Sequence, residues 1–136
     1  MCLCGANGES RHPGRLRRHD GEQRELLGDV VVVDLAIEAV PERIDLKRGV
    51  LDELNRRCPP HTIFGSNTSA LSITELGEAS GRADRLVGLH FFNPADRMML
   101  LEIICAEKTS DQTLATSVSF ARAIRKIPVV VNDGPG

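Results

Sequence analysis

The sequence predicts an α/β domain with a mostly parallel sheet. Five short apolar runs are typical of strands, and they are Leu35–Ala39, Thr62–Ser66, Arg85–Phe91, Leu100–Cys105 and Ile127–Val131. Most of these runs are separated by segments whose apolar residues recur at helical spacing. Strands that alternate with helices favour a sheet joined by crossover connections. We expect the Leu100–Cys105 strand to be the one that departs from the parallel direction.

Length and charge bound the possible functions. The 136 residues suffice for one hydrophobic core. The net charge is −2, and the chain has neither Trp nor Tyr. A basic surface or stacking aromatics would favour nucleic acid, and a basic surface would favour a membrane. We therefore expect neither partner. No apolar stretch reaches the length of a membrane span, and the start lacks the apolar run of a secretory signal.

The four cysteines do not predict a metal site. Cys2 and Cys4 could form half of one, but Cys58 and Cys105 lack the spacing of zinc ligands. Reduced thiols are typical of the cytoplasm, and we expect that location.

The first 27 residues are expected to be largely disordered, with a short helix near Glu22–Leu27. They are rich in Arg and Gly and offer no apolar face. The following stretch, Gly28–Val40, consists almost entirely of strand-forming residues. We expect its ordered parallel strand at Leu35–Ala39.

Three helices are predicted from spacing and caps. The first spans Asp45–Cys58 and ends at Pro59-Pro60. Its expected inner face is Leu46, Val50, Leu51, Leu54 and Cys58. Ile73–Ala79 forms the second, with Ser72 as its cap. A third begins at Ser110, and its expected inner face is Leu114, Val118, Ala121 and Ile124.

A histidine and a carboxylate lie at the centre of the chain's chemistry. His90 stands at the end of an apolar strand, and an Asn93-Pro94 turn separates it from the apolar run that contains Glu102. A carboxylate buried in such a run is costly unless it has a partner. We therefore expect Glu102 to pair with His90, fix its tautomer and raise its basicity.

Four segments resemble one enzyme family. They are DLAIEAVPERIDLK (34–47), SNTSALSI (66–73), GLHFFNP (88–94) followed by the run to Glu102, and VVVNDGPG (129–136). In this order and spacing they resemble the NAD-dependent 3-hydroxyacyl-CoA dehydrogenases, over roughly residues 34–136. The resemblance implies a Rossmann-like fold, NAD as cofactor, and a 3-hydroxyacyl-CoA substrate that is oxidised to a 3-ketoacyl-CoA.

The resemblance also implies roles for single residues. His90 is the catalytic base, Glu102 its partner, and Ser69 a contact of the substrate oxygen and the cofactor. Asn93 lies near the nicotinamide, and the remaining cofactor-binding positions are Ala39, Glu42 and Lys47. Simpler alternatives stay open, because Ser69 can be a turn former and Asn93 part of a plain Asn-Pro turn. From the residues alone, Glu42 and Lys47 are better explained as a solvated helix start.

The same resemblance implies an incomplete domain. Gly5-Ala-Asn-Gly8 is not G-x-G-x-x-G, so the glycine motif that holds the pyrophosphate is missing. We expect residues 28–136 to form a partial dinucleotide-binding domain that lacks its first βαβ half. We also expect the family's helical dimerisation domain to be absent. The implied function is a weakly active or inactive dehydrogenase fragment. The alternative is a non-catalytic interaction module that pairs with a partner through its open sheet edge.

Overall fold

The computed structural model describes residues 3–5 and 33–134. The remaining part of the first 27 residues, including the helix expected near Glu22–Leu27, lies outside the described residues. In chain order the elements are β1 (Leu3–Gly5), β2 (Leu35–Glu38), α1 (Ile44–Arg57), β3 (Ile63–Ser66), α2 (Ile73–Ala79), a single 3₁₀ turn (Ala83–Arg85), β4 (Leu86–Phe91), β5 (Leu100–Cys105), α3 (Asp111–Ala123) and β6 (Ile127–Asn132).

The six strands form one sheet in the order β1-β2-β3-β4-β5-β6. β2, β3 and β4 are parallel, and the helices α1 and α2 form the two connections between them. β5 runs antiparallel to β4, and β6 returns through α3 to lie parallel to β5. The α/β architecture with a mostly parallel sheet is therefore confirmed, as is the departure from parallel at β5.

One strand was not expected. Leu3–Gly5 pairs antiparallel with β2, with Leu3 opposite Ile37 and Gly5 opposite Leu35. We expected no ordered element there because the segment lacks an apolar face. An edge strand carries unpaired backbone N–H and C=O groups, and three residues of any composition can satisfy them. Hydrophobic patterning does not detect a strand that is added through its backbone.

Both faces of the sheet carry a hydrophobic cluster. The cluster between the sheet and the helices α1 and α2 includes Ala36, Leu51, Phe64, Ile73, Leu76 and Leu86. The cluster between the sheet and α3 includes Ile37, Val87, Leu89, Leu101, Ile103 and Ala121. Neighbouring strand residues therefore alternate between the two clusters, as successive side chains in a strand must.

The predicted cap of α2 and the predicted start of α3 are both confirmed. Ser72 Oγ accepts a hydrogen bond of 3.2 Å from the Glu75 N–H at the start of α2. Ser110 Oγ accepts one of 3.2 Å from the Thr113 N–H at the start of α3. Each hydroxyl satisfies a backbone donor that has no partner within the helix.

The inner face predicted for α3 is partly wrong. Ala121 is buried, but Ile124 is 39% exposed, and the other fully buried positions are Thr113 and Ser117. Thr113 Oγ1 donates to the Asp84 carbonyl at 2.8 Å, and Ser117 Oγ donates to the Thr113 carbonyl at 2.8 Å. Because their hydroxyls are satisfied locally, these small polar residues can face the sheet. None of the helices in the described ranges is long and apolar enough to cross a membrane.

Candidate active site

His90 and Glu102 face each other across two antiparallel strands. His90 lies on β4 directly opposite Glu102 on β5. Opposed residues in an antiparallel pair project their side chains to the same face of the sheet. His90 Nδ1 lies 2.9 Å from Glu102 Oε2. The expected pairing of the two side chains is therefore present.

The pair is partly open to solvent, and its geometry suits proton transfer. The side chains of His90 and Glu102 are 21% and 33% exposed. When Nδ1–H donates to the carboxylate, the neutral ring keeps a lone pair on Nε2. The Phe92 ring lies 4.7 Å from the imidazole, centroid to centroid, at a tilt of 42°. The carboxylate and this neighbouring ring together restrict the orientation of the imidazole.

The loop after β3 closes around the Glu42 carboxylate. Glu42 Oε1 accepts hydrogen bonds from the Thr68 hydroxyl, from the Ser69 N–H at 2.9 Å and from the Ala70 N–H at 3.0 Å. Burial alone would raise the pKa of Glu42. The bonds from Thr68, Ser69 and Ala70, together with the charge of Lys47, lower the pKa of Glu42 below its ordinary value. Glu42 is therefore a carboxylate that holds this loop in place.

Three predicted site residues are exposed at this end of the sheet. Ala39 follows β2, Ser69 lies in the loop after β3, and Asn93 lies in the turn after β4. Ser69 Oγ is 3.4 Å from Glu42 Oε1. Among the described residues, no hydrogen bond joins Ser69 or Asn93 to His90. The carboxyl ends of parallel strands are where ligands bind in open α/β sheets.

Lys47 is fully buried, so a solvated helix start is the wrong explanation for it. Its Nζ donates to both carboxylate oxygens of Glu38, at 3.0 and 3.1 Å. It also donates to the carbonyls of Val40 and Asn67, at 3.1 and 3.3 Å. Glu42 Oε2 lies 3.6 Å from Lys47 Nζ. A buried ammonium is tolerated because its charge is paired and its protons are bonded.

Glu38 completes this cluster and was missed from the sequence. It is fully buried at the end of β2. The Ser66 hydroxyl donates to Oε1, and the Val40 N–H donates to Oε2 at 3.1 Å. An acid at the end of the apolar strand LAIE, with a lysine nine residues later, was the available signal. A buried acid requires a partner at Glu38 for the same reason as in the apolar run that contains Glu102.

Asn67 was also missed, because it was interpreted as a loop residue. Its N–H donates to the Glu38 carbonyl at 2.9 Å. Its side-chain Oδ1 accepts from the Phe91 N–H at 3.1 Å. Asn67 therefore connects the ends of β2 and β4 to its own strand. Within residues 3–5 and 33–134, no group of three or more His, Cys, Asp or Glu residues is placed to hold a metal ion.

Comparison with known families decides what this site belongs to. Residues 17–134 match the family described as "3-hydroxyacyl-CoA dehydrogenase, NAD binding domain". The chain belongs to that family. The match begins at residue 17, earlier than the resemblance from residue 34 that the motifs indicated.

The relatives of this chain are much longer than it is. The fatty acid oxidation complex subunit alpha of Shewanella loihica is 48% identical over 103 residues, which are 76% of this chain and 15% of the relative. The corresponding subunit of Shewanella baltica is 47% identical over the same shares. The chain therefore matches only a small part of these relatives.

Solved structures confirm the Rossmann-like dehydrogenase fold. The (S)-3-hydroxybutyryl-CoA dehydrogenase of Ralstonia eutropha superimposes with a TM-score of 0.75 at 40% identity, covering 76% of this chain and 37% of that one. The 3-hydroxybutyryl-CoA dehydrogenase of Escherichia coli gives a TM-score of 0.74 at 36% identity, covering 76% and 22%.

The described residues fit only part of a dinucleotide. Exposed groups surround the carboxyl ends of β2, β3 and β4, beside the His90–Glu102 pair. A pyrophosphate is normally held by backbone N–H groups at a glycine-rich helix start. No G-x-G-x-x-G occurs in the 136 residues.

Proposed function

We propose that this chain contains the catalytic segment of an NAD-dependent 3-hydroxyacyl-CoA dehydrogenase, which converts a 3-hydroxyacyl-CoA to the 3-ketoacyl-CoA. The observation that carries this proposal is the 2.9 Å hydrogen bond between His90 Nδ1 and Glu102 Oε2. The bond leaves the opposite ring nitrogen of a partly exposed histidine available to a substrate, within a family whose members act on such alcohols. A base oriented by a carboxylate is the arrangement that proton abstraction requires.

His90 has the central role in the proposed reaction. NAD, when bound, supplies the acceptor for the hydride that leaves carbon 3. His90 Nε2 takes the hydroxyl proton, so that the C–O single bond becomes a carbonyl. Glu102 stabilises the resulting imidazolium and keeps the ring oriented through Nδ1. General base catalysis of this kind contributes about 10²–10⁴-fold to a rate.

The other predicted residues surround the ligands. We assign Ser69 to the substrate oxygen and the cofactor, and Asn93 and Ala39 to the cofactor. Glu42 takes part by holding the loop that carries Ser69. We assign Lys47 an indirect role beneath the ligands. Its ammonium is already bonded to Glu38 and to two backbone carbonyls.

On its own the chain is expected to turn over weakly or not at all. Catalysis requires the alcohol, the nicotinamide and His90 to be held together, and such positioning accounts for about 7–11 kcal/mol of barrier reduction. Without a glycine-rich cradle, we expect very weak NADH binding by calorimetry. In the same preparation we expect no measurable change in nicotinamide absorbance with a 3-hydroxyacyl-CoA.

A chimera separates the catalytic proposal from this positioning problem. Residues 33–134 would replace the matching segment of the Ralstonia eutropha dehydrogenase, and NAD-dependent oxidation of 3-hydroxybutyryl-CoA would be measured. We expect turnover that falls at least about 10²-fold in His90→Gln. The matched control is His61→Gln, because His61 pairs with Asp34 at 3.4 Å on the exposed surface. Equal turnover in the two variants would contradict the assignment of His90.

The alternative function, an interaction module, requires an open edge at β2. In the structure Leu3–Gly5 pairs with that edge over Leu35, Ala36 and Ile37. The β2 edge is therefore already paired over these three residues, so a partner would have to use another edge.

A further inference from the structure

Asn67 is bonded to two neighbouring strands at the edge of the sheet where the proposed chemistry takes place. Its N–H donates to the Glu38 carbonyl at the end of β2. Its own carbonyl accepts from Lys47 Nζ. Its Oδ1 accepts from the Phe91 N–H at the end of β4. One residue thus connects the last residues of three parallel strands.

The Asn67 side chain connects β3 to β4 beyond the point where their backbone ladder ends. The ladder between β3 and β4 ends at the pair Ser66 and Gly88. β4 continues to Phe91, so His90 lies in a part of the strand that pairs with β5 on one side and has no ladder with β3 on the other. The bond from the Phe91 N–H to Asn67 Oδ1 supports the strand on the side away from β5, one residue beyond His90.

Asn67 is itself held in place by the buried Glu38–Lys47 pair. The Glu38 and Lys47 side chains are both fully buried, and Lys47 contacts the Asn67 carbonyl. Ser66, the residue before Asn67, donates its hydroxyl to Glu38. Buried and fully bonded polar clusters specify one arrangement of the groups around them. The backbone on both sides of the Asn67 Cα is therefore fixed.

We propose that Asn67 is a positioning residue for His90. Its side-chain oxygen holds the end of β4, and the buried Glu38–Lys47 pair holds Asn67. The consequence is that the imidazole faces Glu102 before any ligand binds. The inference rests on the proposed function for its catalytic meaning, but its structural content is separate. A plain turn residue, the simpler explanation for an asparagine after a strand, has no bearing on His90.

The test compares two variants of Asn67 with a matched control. Asn67→Ala removes the acceptor, and Asn67→Asp keeps an acceptor oxygen of the same shape. The control is Ser110→Ala, which also removes one side-chain acceptor from a backbone N–H, at the start of α3. All are made in the full chain, and NMR records exchange of the Phe91 amide and the Nδ1–H signal of the His90 ring.

In Asn67→Ala we expect the Phe91 amide to exchange about tenfold faster, since one hydrogen bond is lost. We also expect the His90 Nδ1–H signal to broaden or vanish as the bond to Glu102 loosens. Asn67→Asp restores slow exchange, and Ser110→Ala leaves both signals unchanged. If His90 and Phe91 are unchanged in Asn67→Ala, or equally changed in Ser110→Ala, the inference is overturned.

The chimera supplies the second arm of the test. If His90 is the base, Asn67→Ala lowers kcat about tenfold with little change in KM, and Asn67→Asp recovers part of the loss. If the chimera is inactive with its own His90 but the NMR changes occur, the proposed function fails and the positioning role stands. If the chimera is active and Asn67→Ala lowers kcat no more than Ser110→Ala does, only the positioning role fails.

Discussion

Two acid–base pairs lie at the same end of the sheet, and they differ in how fully they are enclosed. The Glu38–Lys47 pair is inaccessible to solvent, and each of its charged groups is bonded to further neighbours. The His90–Glu102 pair is 21% and 33% exposed. Within residues 3–5 and 33–134, the bond between them is the only side-chain hydrogen bond that either makes. The first pair is saturated, and the second keeps capacity for a ligand.

The difference separates residues that can contact a ligand from residues that hold the surrounding structure in place. A saturated ammonium has no free proton to offer to a cofactor, although Lys47 occupies a cofactor-binding position by resemblance. The partly exposed His90 imidazole has one nitrogen bonded to Glu102, and its other nitrogen can still bond to a ligand. The number of bonds that a polar group already makes is therefore a better guide to its role than its motif alone.

Removing the buried charge of Lys47 should have the largest effect on the free energy of unfolding. Lys47→Met leaves the Glu38 carboxylate buried without its counter-charge, and breaking such a pair costs about 3–5 kcal/mol. The free energy of unfolding, measured by urea denaturation, should fall by this amount. The control is Arg56→Met, which breaks the exposed pairs with Asp52 and Glu53. Surface pairs are worth about 0–1 kcal/mol.

A double variant tests the cause. Glu38→Leu combined with Lys47→Met removes both charges, so it should be less destabilised than Lys47→Met alone. If the single variant costs no more than Arg56→Met, the Glu38–Lys47 pair does not stabilise the sheet edge.

A methyl group on β4 should have an intermediate effect. A Cβ at Gly88 would lie 2.7 Å from the Ile104 Cβ on β5 and 3.0 Å from Ile73 Cγ1 on α2. Overpacking of this kind costs about 1–3 kcal/mol. Because Ile104 and Glu102 lie on the same strand, Gly88→Ala should also weaken the His90 Nδ1–H signal.

Gly77→Ala is the matched control for the added methyl group. Its Cβ would meet Ala83 at an ordinary 3.6 Å inside a helix. Alanine in a helix interior is favoured over glycine by about 1 kcal/mol. The two substitutions should therefore shift the urea midpoint in opposite directions, and a shift of the same sign would contradict the packing around Gly88.

Breaking the His90–Glu102 pair should change stability little and the chemistry of the imidazole ring strongly. Glu102→Ala removes a partly exposed carboxylate, so we expect the free energy of unfolding to fall by no more than about 1 kcal/mol. The imidazole loses the acceptor that selects its Nδ1–H tautomer. The ¹⁵N shifts of the His90 ring should report a mixture of tautomers. An unchanged ring spectrum would mean that Glu102 does not orient the histidine.

The sequence predicted most elements because their signals were local. Ser72 and Ser110 are caps next to the helices they start, and both are confirmed. The pairing of His90 with Glu102 was predicted from the cost of burying an acid, and it is present although the Glu102 side chain is 33% exposed. Its structural cause, the register that places them opposite each other, depends on two strands and a turn together.

The errors share a physical origin. Patterning assumes that charged and polar residues face water, but Lys47, Thr113 and Ser117 are buried because their polar groups are bonded to the chain itself. The exposed Ile124 is the counterpart on α3. Asn67 and Glu38 were missed because their bonds join segments far apart in the sequence. Such partners become visible only when the strands are side by side.

The smallest expected effect is the loss of stability at low pH that the Glu42 carboxylate causes. Burial would raise the pKa of Glu42, but bonds from Thr68, Ser69 and Ala70 and the charge of Lys47 lower it below its ordinary value of 4.5. A lowered folded-state pKa means that the stabilisation is complete above pH 4.5 and is lost as the pH falls through the folded-state pKa. The urea midpoint of the natural chain should therefore decline below pH 4.5 more steeply than that of Glu42→Gln, which cannot titrate at this position. Other carboxylates titrate in both proteins, so the difference between the two curves isolates Glu42. Parallel curves would mean that the loop carrying Ser69 is held without the Glu42 charge.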